Sequence, residues 1–379
     1  MQHQPLGGRA RWINIVGVIF VTYAIATFDR VNLGLALPDM SRDLGLTPAQ
    51  AGLAGGIFSW GYVVTFVAAG WLAPRVGPRR LVGLCLLCWG SAALLTGTAH
   101  SFAQLIAVRL LLGVAEGPVW TSAAMLTAQF FVKTERGRAF ALWTLAAPLG
   151  ALVAGPVSGL LLAAHDWRFM LVVEGLPALV WALVWYWRVP GSLDSAKWLS
   201  GVEREQIVAA LREEQASLGQ VEGGAWRSML AEPIVWFLVS GFSLINLLVN
   251  GFTLWLPSAI KSASSYGMLS IGLLSALPWV ADMVGIFVIS RSSDRYQERR
   301  LHAAIPMILA GCLLLVAANV GTWSFAFQIA LFTLMGFFVH MFLPLIFTYT
   351  TEVLPQKTAV VSSTLKMTQR QHIGFDPPG

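Results

Sequence analysis

Charge is scarce in this sequence. Asp, Glu, Lys and Arg together make up 12% of its 379 residues, whereas 56% are hydrophobic and the mean hydropathy is +0.67. An ordinary soluble domain has about 25% charged residues. The composition therefore excludes such a domain and predicts an integral, multi-pass membrane protein that contacts the lipid bilayer directly.

Cysteine and the common catalytic motifs are also scarce. Among three cysteines, Cys85 and Cys88 form a Cys-x-x-Cys pair, but it lies in an apolar run and has no second pair to complete a zinc site. The sequence has no Gly-x-x-x-x-Gly-Lys phosphate loop and no Ser/His/Asp or metal-ligand constellation. We expect no enzyme activity, no catalytic residue, no metal and no cofactor, so an energy-requiring process would have to draw on an ion gradient.

Apolar runs long enough to cross a bilayer, about 17–25 residues each, recur along the chain. Between residues 189 and 233 the hydrophobicity collapses, which predicts a cytoplasmic linker, either a surface helix or a mobile joint, that divides an amino-terminal bundle (1–188) from a carboxyl-terminal bundle (234–379). The predicted spans number ten, at 13–37, 51–73, 81–99, 102–130, 139–163, 168–188, 234–258, 268–290, 303–321 and 323–350.

The loops between these spans differ in basic charge. Most of their Lys and Arg residues lie on the side of the amino terminus, and the opposite side carries only Arg42, Arg168 and Lys261. Because basic loops stay in the cytoplasm, we expect a cytoplasmic amino terminus in a plasma (inner) membrane. These loops also account for the net charge of +6, so we expect no nucleic-acid partner.

Two charged residues interrupt the first apolar run. Asp29 and Arg30 lie side by side within residues 26–32, where each costs about 2.5–3.5 kcal/mol on insertion scales and therefore usually faces a polar cavity. In the fourth span, Arg109, Gly113 and Glu116 lie at i, i+4 and i+7, so they share one helix face with the two charges about 10.5 Å apart along the axis. These four charges predict a polar site inside the membrane.

Two basic turns suggest a family. Residues 70–80 follow the second span and are similar to the signature loop of the major facilitator superfamily, Gly-x-Leu-Ala-Asp-Arg-x-Gly-Arg-Arg, except that Pro74 replaces the aspartate. Residues 293–300, after the eighth span, resemble a second copy with the acid intact, as a duplicated transporter should show. The resemblance implies cytoplasmic gating loops that contain Gly70, Arg75, Gly77, Arg79, Arg80, Asp294 and Arg295.

The resemblance narrows to the anion:cation symporters of that superfamily, the organic-acid/proton carriers of the galactonate, tartrate and phthalate type. It rests on residues 28–30, 109–118, 167–178, 196–199 and 293–306. It implies import of a small organic anion with protons by alternating access, with Asp29 and Glu116 as proton-coupling residues and Arg30 and Arg109 as substrate-binding residues. A sugar acid, a dicarboxylate and an aromatic carboxylate remain open, although the apolar Ala146 and Ala147 in span five favour the last two.

Further polar residues in the spans are binding candidates with an equally plausible structural role. Tyr62 either faces the cavity or packs at a helix interface. Asn246 and Asn250 share a helix face near Trp255, where the amides either bind substrate or join helices. Glu174 is interpreted as a structural contact. Asp282 and His340 are further candidates because ionisable residues within spans are costly.

The expected fold is an all-α polytopic membrane protein with the major facilitator arrangement of two six-helix pseudo-repeats, acting as a monomer. The carboxyl-terminal half is expected to be incomplete, with about ten spans and a partial eleventh that begins near residue 360. An alternative function is therefore a non-transporting membrane sensor or a truncated remnant of a carrier. An intramembrane enzyme is a third possibility that would require a catalytic set of its own.

Overall fold

The computed structural model describes residues 8–217, 233–296, 298–319, 324–342 and 345, and most of them are helical. The first helix, α1, is continuous from Arg9 to Asp43 and includes a π-helical stretch at Trp12–Gly17. The others are α2 Pro48–Val76, α3 Pro78–Gly97, α4 Phe102–Phe130, α5 Lys133–Thr144, α6 Ala146–Ala164, α7 Trp167–Arg188, α8 Gly201–Ser217, α9 Pro233–Ser262, α10 Met268–Tyr296, α11 Arg300–Asn319 and α12 Phe325–Val339.

The all-helical membrane fold predicted from the sequence is confirmed, and each predicted span corresponds to a described helix. In the described part of the chain, eight helical stretches are long and apolar enough to cross a membrane, by length and composition alone. Several boundaries differ from the prediction. The fifth span is divided at Leu145 into α5 and α6. In the tenth span α12 ends at Val339, and the predicted end near residue 350 lies outside the described residues.

The first span does not end at Pro38 as the sequence suggested. Pro38 lies inside α1, which continues to Asp43. The residues around the proline, including Leu37 and Met40, are fully buried, and this burial offsets the one backbone hydrogen bond that a proline removes. The polar residues 39–43 are therefore helical and ion-paired: Lys261 Nζ lies 2.8 Å from Asp39 Oδ1, and Arg168 contacts Asp43.

The second span begins at a capped helix terminus, three residues before the predicted start. Thr47 Oγ1 accepts a hydrogen bond from the Gln50 backbone N–H at 3.3 Å, and the Gln50 side chain accepts one from the Thr47 N–H at 2.9 Å. With Pro48 at the first helical position, the sequence Thr-Pro-Ala-Gln forms a complete capping box.

The predicted turn at residues 70–80 is almost entirely helical. Gly70 and Arg75 lie within α2, and only Gly77, with a φ of +89°, separates α2 from α3. Glycine adopts this conformation without the steric cost that a Cβ would add. Arg79 is held against α7, because its Nη2 donates to the Tyr186 carbonyl at 2.6 Å and its own carbonyl accepts from Trp185 Nε1 at 2.9 Å.

The described part of the linker is a packed surface helix. Ile207 and Leu211 of α8 are buried in the same apolar cluster as Phe130 at the end of α4. Arg136 Nη1 lies 2.6 Å from Glu214 Oε1 on α8, and Glu203 Oε1 accepts from the Gly8 N–H at 2.6 Å. Residues 218–232 and the expected partial eleventh span near residue 360 lie outside the described residues. The division into bundles at 1–188 and 234–379 stays a prediction.

Candidate functional site

Three membrane helices meet at the two charged residues of α1. Asp29 accepts a hydrogen bond from Trp89 Nε1 on α3, with 2.5 Å between the nitrogen and Oδ2. Arg30 instead donates to Glu116 on α4, through Nε to Oε1 at 2.7 Å and through Nη2 to the same oxygen. The two neighbours thus face different helices, because adjacent helical residues point about 100° apart.

These charges lie almost completely out of solvent. Asp29 is 2% exposed, Glu116 1% and Arg109 5%, while the Arg30 side chain keeps 25% of its surface accessible. Asp29 Oδ1 and Glu116 Oε2 are buried and have no hydrogen-bond partner among the described residues. A buried polar atom without a partner costs about 1–3 kcal/mol, so each of these two oxygens destabilises the site by that order.

The two arginines share an aromatic wall on α2. The Arg30 guanidinium lies 4.9 Å from the ring centroid of Tyr62 and 5.6 Å from that of Phe58. The Arg109 guanidinium lies 5.2 Å from the same Phe58 centroid. Tyr62 therefore contacts the charged site, while Phe58 is a contact that the sequence did not suggest. The rings supply an apolar surface that still favours a cation.

Arg109 differs from Arg30 in its partners. Its Nε donates to the Ala54 carbonyl at 3.4 Å, and within the described residues no carboxylate lies in ion-pair contact with it. Because Arg109 and Glu116 are separated along α4, as predicted, Glu116 pairs with Arg30 and not with Arg109. A buried guanidinium that no carboxylate contacts directly can accept one, since its fork of donors matches two carboxylate oxygens.

The remaining binding candidates lie away from this ion pair or outside the description. Trp255 is 41% exposed, and its ring lies beside Gly52 of α2. Asn250 is exposed on α9, while the Asn246 side chain lies outside the described residues.

The second predicted gating loop, residues 293–300, is described only in part. The Asp294 side chain lies outside the described residues, and the Arg295 guanidinium lies 5.9 Å from the centroid of Tyr296. Beside them Glu298 caps α11, where a hydrogen bond with the His302 ring and others from backbone N–H groups lower the pKa of the Glu298 carboxyl to about 2.

The structure also describes two further features noted in the sequence, Glu174 and the Cys85–Cys88 pair. Glu174 is 3% exposed and accepts a hydrogen bond from Ser158 Oγ at 2.6 Å, which agrees with a structural contact between α6 and α7. Cys85 is buried and Cys88 is exposed on α3. No group of three or more potential metal ligands occurs within the described ranges.

Trp89 is a second contact of the charged site that sequence reasoning missed, besides Phe58. Its ring is fully buried in the core formed by α1, α3, α4 and α7. The available signal was chemical: a buried indole N–H usually finds an acceptor, and few acceptor side chains occur in these spans.

We expect Trp89→Phe to slow uptake of the transported solute about tenfold, because it removes a donor from Asp29 while keeping most of the packing. Hydrogen bonds to charged groups contribute about 1.5–3 kcal/mol, and about 1.4 kcal/mol corresponds to tenfold in rate. Trp143→Phe is the matched control, since that fully buried indole N–H has no hydrogen-bond partner among the described residues. Equal initial rates of uptake in the two variants would contradict a role for the Trp89–Asp29 bond.

Comparison with known proteins gives a consistent result. Residues 19–371 match the Major Facilitator Superfamily. The chain is 28% identical over 340 residues to NicT of Pseudomonas putida, a provisionally named metabolite transport protein, covering 87% of this chain and 77% of the relative. It is 30% identical over 318 residues to a provisionally named tartrate transporter of Agrobacterium vitis, covering 80% and 69%.

A solved structure shows the same fold. The xylose transporter XylE from E. coli, in a partially occluded inward-open conformation, superimposes with a TM-score of 0.72 at 13% identity, covering 95% of this chain and 89% of that chain. At this identity the likeness concerns the fold alone.

Proposed function

The chain belongs to the Major Facilitator Superfamily and is a membrane transporter rather than an enzyme, and we propose that it imports a small organic anion together with protons by alternating access. We place it in the plasma (inner) membrane as a monomer with a cytoplasmic amino terminus. The observation that carries the proposal is the buried ion pair of Arg30 and Glu116 beside the buried Asp29.

The geometry suggests how an anion and a proton are coupled. A substrate carboxylate that binds Arg109, which has no carboxylate partner in the described part of the chain, lies close to Phe58 and therefore to the partly accessible Arg30. There it competes with Glu116 for the second guanidinium. Because a buried carboxylate that loses its cation is strongly destabilised, Glu116 takes up a proton as the substrate binds, and Asp29 provides a second carboxyl for proton transfer.

The membrane potential explains why import of an anion requires protons. Moving one negative charge inward against about 100 mV costs about 2.3 kcal/mol. One proton per carboxylate removes this penalty, and a second proton adds driving force. Two carboxyls with unpartnered oxygens in one site, Asp29 and Glu116, are consistent with this requirement.

We infer the substrate class from the charge, aromatic character and polarity of the side chains concerned. The two guanidiniums and the aromatic wall of Phe58 and Tyr62 suit a carboxylate with a flat or compact body. The side chains of Ala146 and Ala147 at the start of α6 offer no hydrogen bond to a polyhydroxylated chain. We favour a dicarboxylate or an aromatic carboxylate over a sugar acid, and a tartrate transporter occurs among the relatives.

Uptake into proteoliposomes tests the proposal. The panel is labelled tartrate, galactonate and phthalate, and uptake is measured with and without an inward proton gradient. We expect a gradient to accelerate uptake of at least one acid, and both Asp29→Asn and Glu116→Gln to remove the acceleration. Glu213→Gln, on the exposed face of α8, is the control carboxylate and should behave as the wild type.

Two results would argue for other functions. Uptake that ignores the gradient would remove the proton from the mechanism and leave a uniporter or exchanger. Binding of an acid without uptake would support the alternative of a non-transporting sensor or remnant of a carrier.

A further inference from the structure

A second buried charged pair lies between α10 and α12. Asp282 is fully buried, and its Oδ2 lies 2.9 Å from Nδ1 of His340, whose side chain is 18% exposed. The other carboxylate oxygen, Oδ1, is buried and has no hydrogen-bond partner among the described residues. The pair therefore has an unused acceptor on the aspartate and a partly accessible base on the histidine.

The backbone around His340 is interrupted. Helix α12 ends at Val339, His340 and Met341 form a turn, and residue 342 is helical again. Non-helical backbone at membrane depth is tolerated where it lies inside protein or lines a cavity, and broken helices mark ion and substrate sites in transporters. The carboxyl end of a helix carries partial negative charge, so both this helix end and Asp282 favour a cation at His340.

Close helix packing fixes the pair in place. A Cβ added at Gly336 would collide with the backbone of Pro278, and one added at Gly285 would collide with the Phe337 carbonyl. These two glycines lie next to His340 and Asp282 along their helices, so α10 and α12 approach most closely where the pair forms.

Trp279 connects this pair to the first site. Its ring stacks on His340 at 6.1 Å between centroids. Trp279 also belongs to the buried apolar cluster that contains Val31 of α1 and Ala151 and Ala154 of α6, and Phe28 of α1 packs against this cluster. Trp279 thus contacts His340 and shares a cluster with the segment of α1 that carries Asp29 and Arg30.

The surroundings hold few other titratable groups. Helix α6 and the described part of α12 contain none, and α1 presents Asp29 and Arg30 on the far side of Trp279. On α9 the titratable residue is Lys261, which pairs with Asp39. The other titratable residues of α10 and α11 lie where these two helices are connected, except for Cys312, which is exposed on α11. They are Arg291, Asp294, Arg295, Tyr296, Arg300 and His302.

We infer that Asp282 and His340 form a second proton-binding site, which loads and releases a proton as the transporter changes conformation. A carboxylate and a helix carboxyl end repel an anionic substrate, which excludes a role in holding it. A sodium ion would need several oxygen ligands, whereas the pair supplies one carboxylate and an imidazole. The inference rests on the proposed proton-coupled function and adds one proton to its stoichiometry.

The protonation of His340 can be measured without a substrate. The full chain is labelled with ¹⁵N-histidine, placed in nanodiscs and titrated between about pH 5 and 8, where histidine charge normally changes. His340→Gln assigns its signal among the six histidines. In the wild type we expect the His340 signal to change from neutral imidazole to imidazolium as the pH falls. The midpoint pH of this change should be displaced in Asp282→Asn. It should stay the same in a sodium-free buffer.

Transport then measures the stoichiometry. Reversal potentials of proteoliposomes are determined with tartrate, galactonate and phthalate as probes. We expect the ratio of protons to substrate to fall by one in Asp282→Asn and in His340→Gln. The matched control is Glu213→Gln, which neutralises an exposed carboxylate on α8; its ratio should equal that of the wild type.

The outcomes separate this inference from the proposed function. If His340 keeps one protonation state throughout, or if both variants keep the wild-type ratio, the pair is structural and the inference is overturned. A sodium-dependent shift of the His340 signal overturns it in favour of a sodium site. If the wild type takes up none of the acids, the proposed function fails for them, and the titration alone decides whether the pair binds a proton.

Discussion

Arg30→Met is expected to abolish uptake, by at least about 100-fold, and to lower the stability of the folded protein. The substitution removes the only cation in ion-pair contact with Glu116 among the described residues and leaves that carboxylate 1% exposed. Breaking a buried ion pair on one side costs about 3–5 kcal/mol. Uptake of the active panel acid and thermal unfolding in detergent measure the two effects.

The double variant Arg30→Met/Glu116→Gln separates structure from function. A neutral amide in place of the stranded carboxylate should restore much of the lost stability, whereas uptake should stay absent because the anion-binding guanidinium is still missing. Recovery of both properties together would mean that Arg30 acts only as a structural partner of Glu116. Unaltered stability in the single variant would mean that the pair is not formed in the membrane.

Much of the site could be predicted because ionisable residues are conspicuous in apolar spans. The cost of Asp29 and Arg30 in the first span and the common face of Arg109 and Glu116 follow from composition and helix geometry alone. The pairing of Arg30 with Glu116 could not be predicted. The pairing depends on how α1 and α4 are rotated about their axes relative to each other. The residue pattern of a single helix gives no information about this relative rotation.

The two corrections to the helix boundaries have a related cause. Sequence signals such as Pro38 and Pro74 describe local preference, and in both places the helix continued through the proline beside buried residues, Leu37 and Met40 in α1 and Ala73 in α2. Tertiary packing overrode local propensity. His340 shows the opposite case, since an apolar run predicted one continuous span and the helix ends in the middle of it, beside a buried aspartate.

The charged site also depends on how closely α2 and α4 approach. A Cβ at Gly113 would collide with the Phe58 carbonyl, and one at Gly117 would collide with the Tyr62 carbonyl and the Thr65 hydroxyl. Gly113 lies between Arg109 and Glu116 on α4, and it faces the segment of α2 that holds the aromatic wall. The glycines therefore set the distance between the arginines and their rings.

Gly113→Ala is expected to lower stability by about 1–3 kcal/mol, the usual cost of overpacking, and to reduce uptake further by moving Phe58 and Tyr62 away from Arg30 and Arg109. The matched control is Gly56→Ala on the exposed face of α2, where an added Cβ meets no atom within 4 Å. There alanine should raise stability by about 0.4–1 kcal/mol, because it restricts the unfolded chain and fits the helix. The same substitution thus has opposite signs at two positions, measured by thermal unfolding and by uptake. If Gly113→Ala behaved like Gly56→Ala, the close contact of α2 and α4 would not exist in the folded transporter, and the aromatic wall could not be part of its binding site.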